Sequence, residues 1–356
     1  MNGNHQPLWR IRVDGVDITA VLDTRFIGLT LTDNRGMEAD QLDLTVGDTD
    51  GKLALPARGA VLSLALGWAD EGLVDKGTFT VDEVEHSGAP DQVTIRARSA
   101  DLRAGLSTQR TRSFHQVKLA DIVNGIAAAH GLVAAIAATL VGELIEHLDQ
   151  TNESDANLLT RLAGMFDAIA TIKAGRLVFM PAGAGVSASG KPLPVVHITR
   201  QDGDQHRFSI AERDTYTAVK AVYNDVERGQ QGAVIWGRDE EDDEKEKAKA
   251  GPAVDAAIEP SADNMKTLRH TYSSQTNARR AARTEWRRIQ RGMAQFSLTL
   301  ARGRPDLFPD LRAAVSGWKP EIDGTEWCLT RVTHNITDGG YTTALEMEVK
   351  ATEVAG

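Results

Sequence analysis

Glu143, Glu146 and His147 come nearest in this 356-residue chain to acid–base chemistry. Two carboxylates one helical turn apart beside an imidazole can relay a proton, but a surface helix face has the same spacing. The surface helix is the simpler account. His86 and His334 end two similar strands at matching positions, yet one imidazole per strand is too few ligands for a metal. Asp239–Glu246 carries seven acidic residues in eight. Without a glycine-spaced ligand loop it reads as a solvated surface segment rather than a calcium site. Gly183–Gly190 is as glycine-rich as a phosphate-binding loop. Lys191-Pro192-Leu193-Pro194 follows it and cannot open the helix such a site needs. There is no Gly-Lys-Ser/Thr loop, no Gly-x-Ser-x-Gly elbow and no cysteine cluster. No catalytic residue, cofactor or metal is therefore expected.

Bulk properties narrow the classes further. A net charge of −10 argues against general nucleic-acid binding, which needs clustered cations. Cys328 is the single cysteine, so no intramolecular disulfide can form and no oxidising compartment is needed for folding. Its alternating surroundings make it a small core hydrophobe. No apolar run follows a basic start, so no secretory signal is expected. The most apolar stretch, Ile126–Val141, is broken by His130 and Gly131 and is shorter than the ~20 residues of a membrane span.

The elements that would position these residues fall into three textures. Up to about residue 104, short alternating strands (Leu8–Val13, Phe26–Thr32, Leu42–Val46, Val61–Leu66, Gly77–Val84, Val93–Ala97) are separated by turn residues, the pattern of a small barrel or sandwich. From about 105 to 205 the chain reads α/β. A helix over Leu119–Gly131 ends at its glycine, and a second helix is capped by Ser154 with Asp155 in its first turn. Leu158, Leu159, Leu162 and Phe166 form that helix's apolar stripe, and two strands meet at Lys173–Arg176. From 206 to 356 strands return, with a polar insertion at about 227–269 and a helix at about 276–292. Ala278, Ala282, Trp286, Ile289 and Met293 share one face of that helix. Six arginines (279, 280, 283, 287, 288, 291) form a cationic outer face, expected to meet solvent or the acidic groups of a neighbouring subunit.

The chain also repeats itself. Gly77-Thr-Phe79-Thr-Val81-Asp-Glu-Val84-Glu-His86 is matched by Gly324-Thr-Glu-Trp327-Cys-Leu329-Thr-Arg-Val332-Thr-His334. Each copy is followed by turn residues and a second alternating strand, and preceded by a proline (Pro56, Pro309) and a short apolar strand. A duplicated β-module follows from this pattern.

The stretch Gln150-Thr-Asn-Glu153-Ser154-Asp155-Ala-Asn-Leu158-Leu-Thr-Arg161-Leu162-Ala163 resembles the signature of the phage late control D family, the tail hubs of contractile-tailed phages, related to the N-terminal part of VgrG. His130-Gly131-Leu132, Gly175 with Leu177, Asp323-Gly324 with Trp327, His334 and Tyr341 fit the family pattern in order. Pro309-Asp310-Leu311 departs from it, since the family has Pro-Gly there. The resemblance implies an α+β, mainly β fold with two β-barrel tube domains (1–104 and 206–356) flanking the middle module (105–205). It implies a homotrimeric, non-enzymatic hub in the virion tail, assembled in the bacterial cytoplasm. It would adapt a sixfold tail tube protein to a threefold spike protein among other baseplate proteins. DNA would meet it only in transit, and it would not insert into a membrane. A fused cell-wall hydrolase would need a further compact domain of roughly 100 residues, for which there is no surplus. A VgrG-type spike would need a long C-terminal β-helix, so the needle is expected on a separate polypeptide.

Overall fold

The computed structural model describes residues 6–99, 104–173, 175–185, 187, 191–210, 216–225, 229–237 and 265–349. The acidic run Asp239–Glu246 and part of the glycine-rich stretch lie outside the described residues. The first unit comprises β1 (Pro7–Val13), β2 (Val16–Asp17), α1 (Thr19–Asp23), β3 (Phe26–Asn34), β4 (Gln41–Gly47), β5 (Val61–Trp68), β6 (Gly72–Ser87) and β7 (Gln92–Ser99). The middle holds β8 (Gln109–Lys118), α2 (Leu119–Ala129), β9 (Val133–Ile136), α3 (Ala138–Val141), β10 (Leu144–Ser154), α4 (Asp155–Met165), β11 (Ala168–Lys173) and β12 (Arg176–Pro181). The last unit holds β13 (Val195–Thr199), β14 (Gly203–Ile210), β15 (Ala218–Asp225), β16 (Gln230–Gly237), β17 (Met265–Tyr272), α5 (Gln275–Gly292) and β18 (Ala294–Leu300). It ends with β19 (Arg312–Ser316), α6 (Pro320–Asp323), β20 (Trp327–Thr337) and β21 (Gly340–Val349).

The fold is α+β and mainly β. Thirteen strands make one continuous sheet in which the two ends of the chain are sewn together through β3 and β20. These pair antiparallel from Arg331↔Asn34 to Thr337↔Gly28. The sheet runs as an open path from β14 to β2, with β13 and β19 branching off β20. Two closed barrels were expected from the family resemblance; no closed barrel is found among the described residues.

The repeat read from the sequence reappears as strand order. The first half runs β3-β4-β7-β6-β5-β1, and the second runs β14-β18-β21-β20-β19-β13. With the short β2 and the separate β15–β17 sheet set aside, each position is filled by the strand that comes at the same point along its half of the chain. The two hairpins also share a defect. The β6–β7 ladder shifts register between Val81 and Glu83, and the β20–β21 ladder shifts between Leu329 and Arg331. Aligning those bulges sets His86 on His334, the correspondence already visible in the residues. A bulge bends and twists its strand, so its repetition is a shape shared by both hairpins. The charged pair beside it is reversed: Arg96 holds Glu83 at 2.9 Å, whereas Arg331 faces Glu346 at 3.5 Å. One direction differs, since β1 is antiparallel to β5 but β13 is parallel to β19.

Separate cores sit under these sheets. Leu29, Leu42, Leu64, Phe79 and Ile95 fill the first, joined by Ile336 and Tyr341 from the far end of the chain. Phe296, Leu311, Trp327, Leu329 and Met347 fill the last. The middle module packs α2 and α4 against β11 and β12 through Ile122, Ile126, Leu158, Leu162 and Phe179. α5 lies on the small β16-β15-β17 sheet with its own core of Val219, Trp236, Ala278, Ala282, Trp286 and Ile289.

Three readings change. Glu146 lies on strand β10, not a helix, because α3 stops at Val141–Gly142 and the chain then pairs with β8. The polar insertion, expected at about 227–269, begins and ends in strands β16 and β17, which both pair with β15, and Trp236 of β16 is buried. The arginine face of α5 is substantially paired within its own chain. Arg280 binds Glu143 at 3.0 Å and stacks on Phe166, and Arg279 lies over Trp236.

Candidate functional site: a signature carboxylate and a sewn sheet junction

β10 hands directly to α4 at Ser154, whose side chain accepts the backbone N–H of Asn157 at 3.2 Å and starts the helix. The next residue, Asp155, is fully buried. His130 at the end of α2 approaches it at 2.9 Å, Gln150 donates to it at 3.0 Å, Arg110 lies at 3.3 Å, and Arg112 pairs with it from β8. Burial pushes the Asp155 carboxyl up, but the donors Gln150 and His130 and the guanidinium groups of Arg112 and Arg110 outweigh it, so it stays below its ordinary range and ionised. Gln150 also accepts from Arg112 and donates to the Glu153 carbonyl, which fixes the strand's final bend. Arg161 grips Glu153 through two hydrogen bonds, at 2.6 and 3.1 Å. Leu158, Leu162 and Ala163 lie with Asp155 on the buried face of α4, and Leu177 lies in the same core. Gly175 sits at φ +72° in the turn into β12, a conformation that favours glycine. The signature stretch Gln150–Ala163 thus holds its charges paired, Glu153 with Arg161 and Asp155 with His130 and with Arg110 and Arg112 of β8.

The C-terminal candidates form a second group, remote in sequence from the first. The Asp323 carboxylate accepts the N–H groups of Gly317 and Trp318, at 2.9 and 3.1 Å, tying the turn after β19 to α6. Gly324 ends α6, where an added Cβ would meet the Pro320 carbonyl at 3.0 Å. The fully buried Trp327 donates its indole N–H to the Ile322 carbonyl at 3.0 Å. His334 is fully buried, with Nδ1 2.9 Å from the Tyr341 hydroxyl and 3.1 Å from that of Thr343. Burial and the nearby Lys76 ammonium depress its pKa to about 3, so it is neutral. Tyr341 stacks on Trp68 of β5 at 5.5 Å, and Trp68 in turn donates to the Gly303 carbonyl at 2.8 Å. His334 and Tyr341 therefore serve the seam between the halves.

An ionic web that the sequence did not reveal continues the seam into the middle module. Lys173 of β11 reaches Asp33 at 3.0 Å and also pairs with Asp40. Lys76 reaches Asp33 at 3.3 Å and donates to the carbonyls of Pro305 and Leu307. Arg291 of α5 binds Asp167 and approaches Glu348, while Arg35 pairs with both Glu348 and Asp310. The carriers are scattered over three hundred residues, and nothing in their local spacing pairs them. The one available signal was Asp310 in place of the family's glycine. Its φ is +72°, so the substitution keeps the backbone turn and adds a carboxylate to it. Chemically the arrangement is a clamp: opposite charges, most of them buried and Lys173 partly exposed, fix three units against one another. Among the described residues no three His, Cys, Asp or Glu side chains converge to hold a metal, and no helix is long and apolar enough to cross a membrane.

Known proteins resemble this chain in sequence and in fold. The chain is 44% identical over 98% of its length, and 94% of the relative's, to a probable baseplate hub protein of Escherichia phage 186. Its fold matches a tail protein from Neisseria meningitidis MC58 with a TM-score of 0.67 at 13% identity, covering 97% of each chain. It also matches the Escherichia coli c3393 protein, a component of the type VI secretion system, with a TM-score of 0.51 at 13% identity over 96% of this chain and 76% of that one. Residues 37–340 match the phage tail baseplate hub (GPD) model, and the chain belongs to that family of phage tail proteins.

Proposed function

We propose that three copies of this chain form the ring at the centre of a contractile tail's baseplate, each supplying two similar β-modules, the first over residues 1–104 and the second starting with β13 (Val195–Thr199) rather than at 206 and running to 356, with the middle module between them. Six near-equivalent faces would then meet the tail tube protein, and the threefold repeat of whole chains would meet a spike. The observation that carries this reading is the recurrence of one strand order, with one bulge, in the two halves. Two like modules per chain are what a threefold object needs to present a sixfold surface. The phage 186 relative, a probable baseplate hub, supports it. The role is structural: the buried charges clamp the units, and the net charge of −10 suits a bore through which DNA slides without adhering. Assembly would take place in the host cytoplasm before the tail is completed. Light scattering and electron microscopy of the purified chain test this reading. Ring-shaped trimers are expected; a chain that stays monomeric, even with its baseplate partners, would overturn it.

A further inference from the structure

We infer that β14 of one copy adds to the second half of β6 of the next, reproducing between chains the β3–β20 seam found within one. This deepens the ring reading above and rests on it. The equivalence of the halves sets β6 on β20 and β14 on β3. Inside the chain, the end of β20 has two neighbours, β21 on one side and β3 on the other. The end of β6 has only one. β7 pairs with it through Ser87, whereas β5 leaves it at Thr80. β14 is likewise bonded only to β18 and terminates the sheet. Among the described residues these are the two edges left open where the other half of the molecule has a seam.

The internal seam also supplies a register. Matching bulges place Val84 on Val332 and His86 on His334. Matching inner pairs, Leu31↔Leu42 and Phe208↔Phe296, place Phe208 on Leu31. The pairs His334↔Leu31 and Val332↔Asp33 then translate into His86↔Phe208 and Val84↔Ile210, with Glu85↔Ser209 and Ser87↔Arg207 on the other face. Side-chain chemistry agrees with this register. Ile210 is 58% exposed on an open edge, and the pairing would set it beside Val84. Arg207 would lie diagonal to Glu85, an opposite-charge neighbour. An unpaired row of N–H and C=O groups beside an exposed isoleucine is a template for another strand. The contact is head-to-tail, using different edges of the two copies, so it propagates from copy to copy, and a threefold rotation between copies closes it as the proposed ring.

Disulfide trapping tests this directly. Opposed residues in antiparallel strands have Cα atoms about 4.5–5.5 Å apart, within disulfide range. Native Cys328 is buried and reports folding by staying unreactive. Full-length chains carrying Glu85→Cys and Ser209→Cys separately are mixed and oxidised. The expected result is a covalent dimer from the mixture and none from either chain alone; the slipped pair Ser87→Cys with Ser209→Cys should cross-link at least tenfold less. A second variant, Ile210→Pro, removes an N–H that faces away from β18 and should abolish association while Cys328 stays protected. Trimers that form without the cross-link, or that tolerate Ile210→Pro, would overturn the pairing and leave the ring standing. A folded chain that never associates would remove both.

Discussion

Arg35 and Asp310 meet at 2.7 Å across the seam, one at the end of β3 and the other in a left-handed turn before β19. The pair converts a position that favours glycine into an ionic contact. Two substitutions separate its parts. Asp310→Ala keeps the strained φ and removes a buried partner of Arg35; breaking such a pair costs roughly 3–5 kcal/mol, here reduced because Glu348 still faces Arg35. Asp310→Gly also loses the carboxylate but relaxes the backbone, recovering roughly 1 kcal/mol or more. Urea titration should rank the wild type first, the glycine variant second and the alanine variant last. An alanine variant as stable as the glycine variant would show that the turn carries no strain.

His334 makes stability fall on the acid side earlier than carboxylates alone would. Its folded pKa is about 3, held there by burial, against 6.5 for a free imidazole. Between those values the unfolded chain binds the extra proton, so stability is full above about pH 6.5 and declines as pH falls toward 3. The slope approaches roughly 1.4 kcal/mol per pH unit. Asp40 and Asp310, raised by burial, act oppositely, losing stabilisation as pH rises above their unfolded value. The difference between wild type and His334→Gln cancels those contributions. That difference should shrink steadily from pH 6.5 to 4.5, because only the wild type loses the imidazole's share. A pH-independent difference would mean that His334 titrates normally.

The repeat was legible because it lies in strands with one wet and one dry face, where alternation survives in the residues. Phe79, Val81 and Val84 echo Trp327, Leu329 and Val332 despite little identity. The cap at Ser154 was legible for a similar reason, since a cap is a local device. β8 was missed: Gln109–Lys118 alternates only between half-buried and exposed positions, so it has no apolar face. Glu143 and Glu146 misled because three-residue spacing suggests a helix, while Gly142 had already ended one. Long-range ion pairs such as Lys173 with Asp33 leave no local trace, because their spacing is set by the fold alone.

Trp286 anchors α5 to a core of only a few side chains. Trp286→Ala should remove roughly 3–5 kcal/mol from that unit. Because the main sheet has its own cores, the loss should stay local. Hydrogen exchange should speed up in β15 and β16 and stay slow in β20 and β21. Uniform acceleration across both would show instead that the small unit and the main sheet unfold together.

Asp155 is the carboxylate on which the family signature converges, and its value lies in what its loss would strand. Asp155→Asn leaves Arg110, Arg112 and His130 facing a neutral amide in a buried site, which should cost roughly 3–5 kcal/mol. Its folded pKa is lowered, so the contribution is fully present above about pH 4 and is lost only as pH falls below that. The deficit of the variant should therefore be constant from pH 5 to pH 8, in contrast to that of His334→Gln. Adding Arg112→Met should restore part of the lost stability, because the larger penalty comes from unpaired charge rather than from the missing attraction. If the double variant is less stable than Asp155→Asn alone, the guanidinium of Arg112 is held by Gln150 and Phe114 rather than by the carboxylate, and Asp155 is not the centre of the cluster.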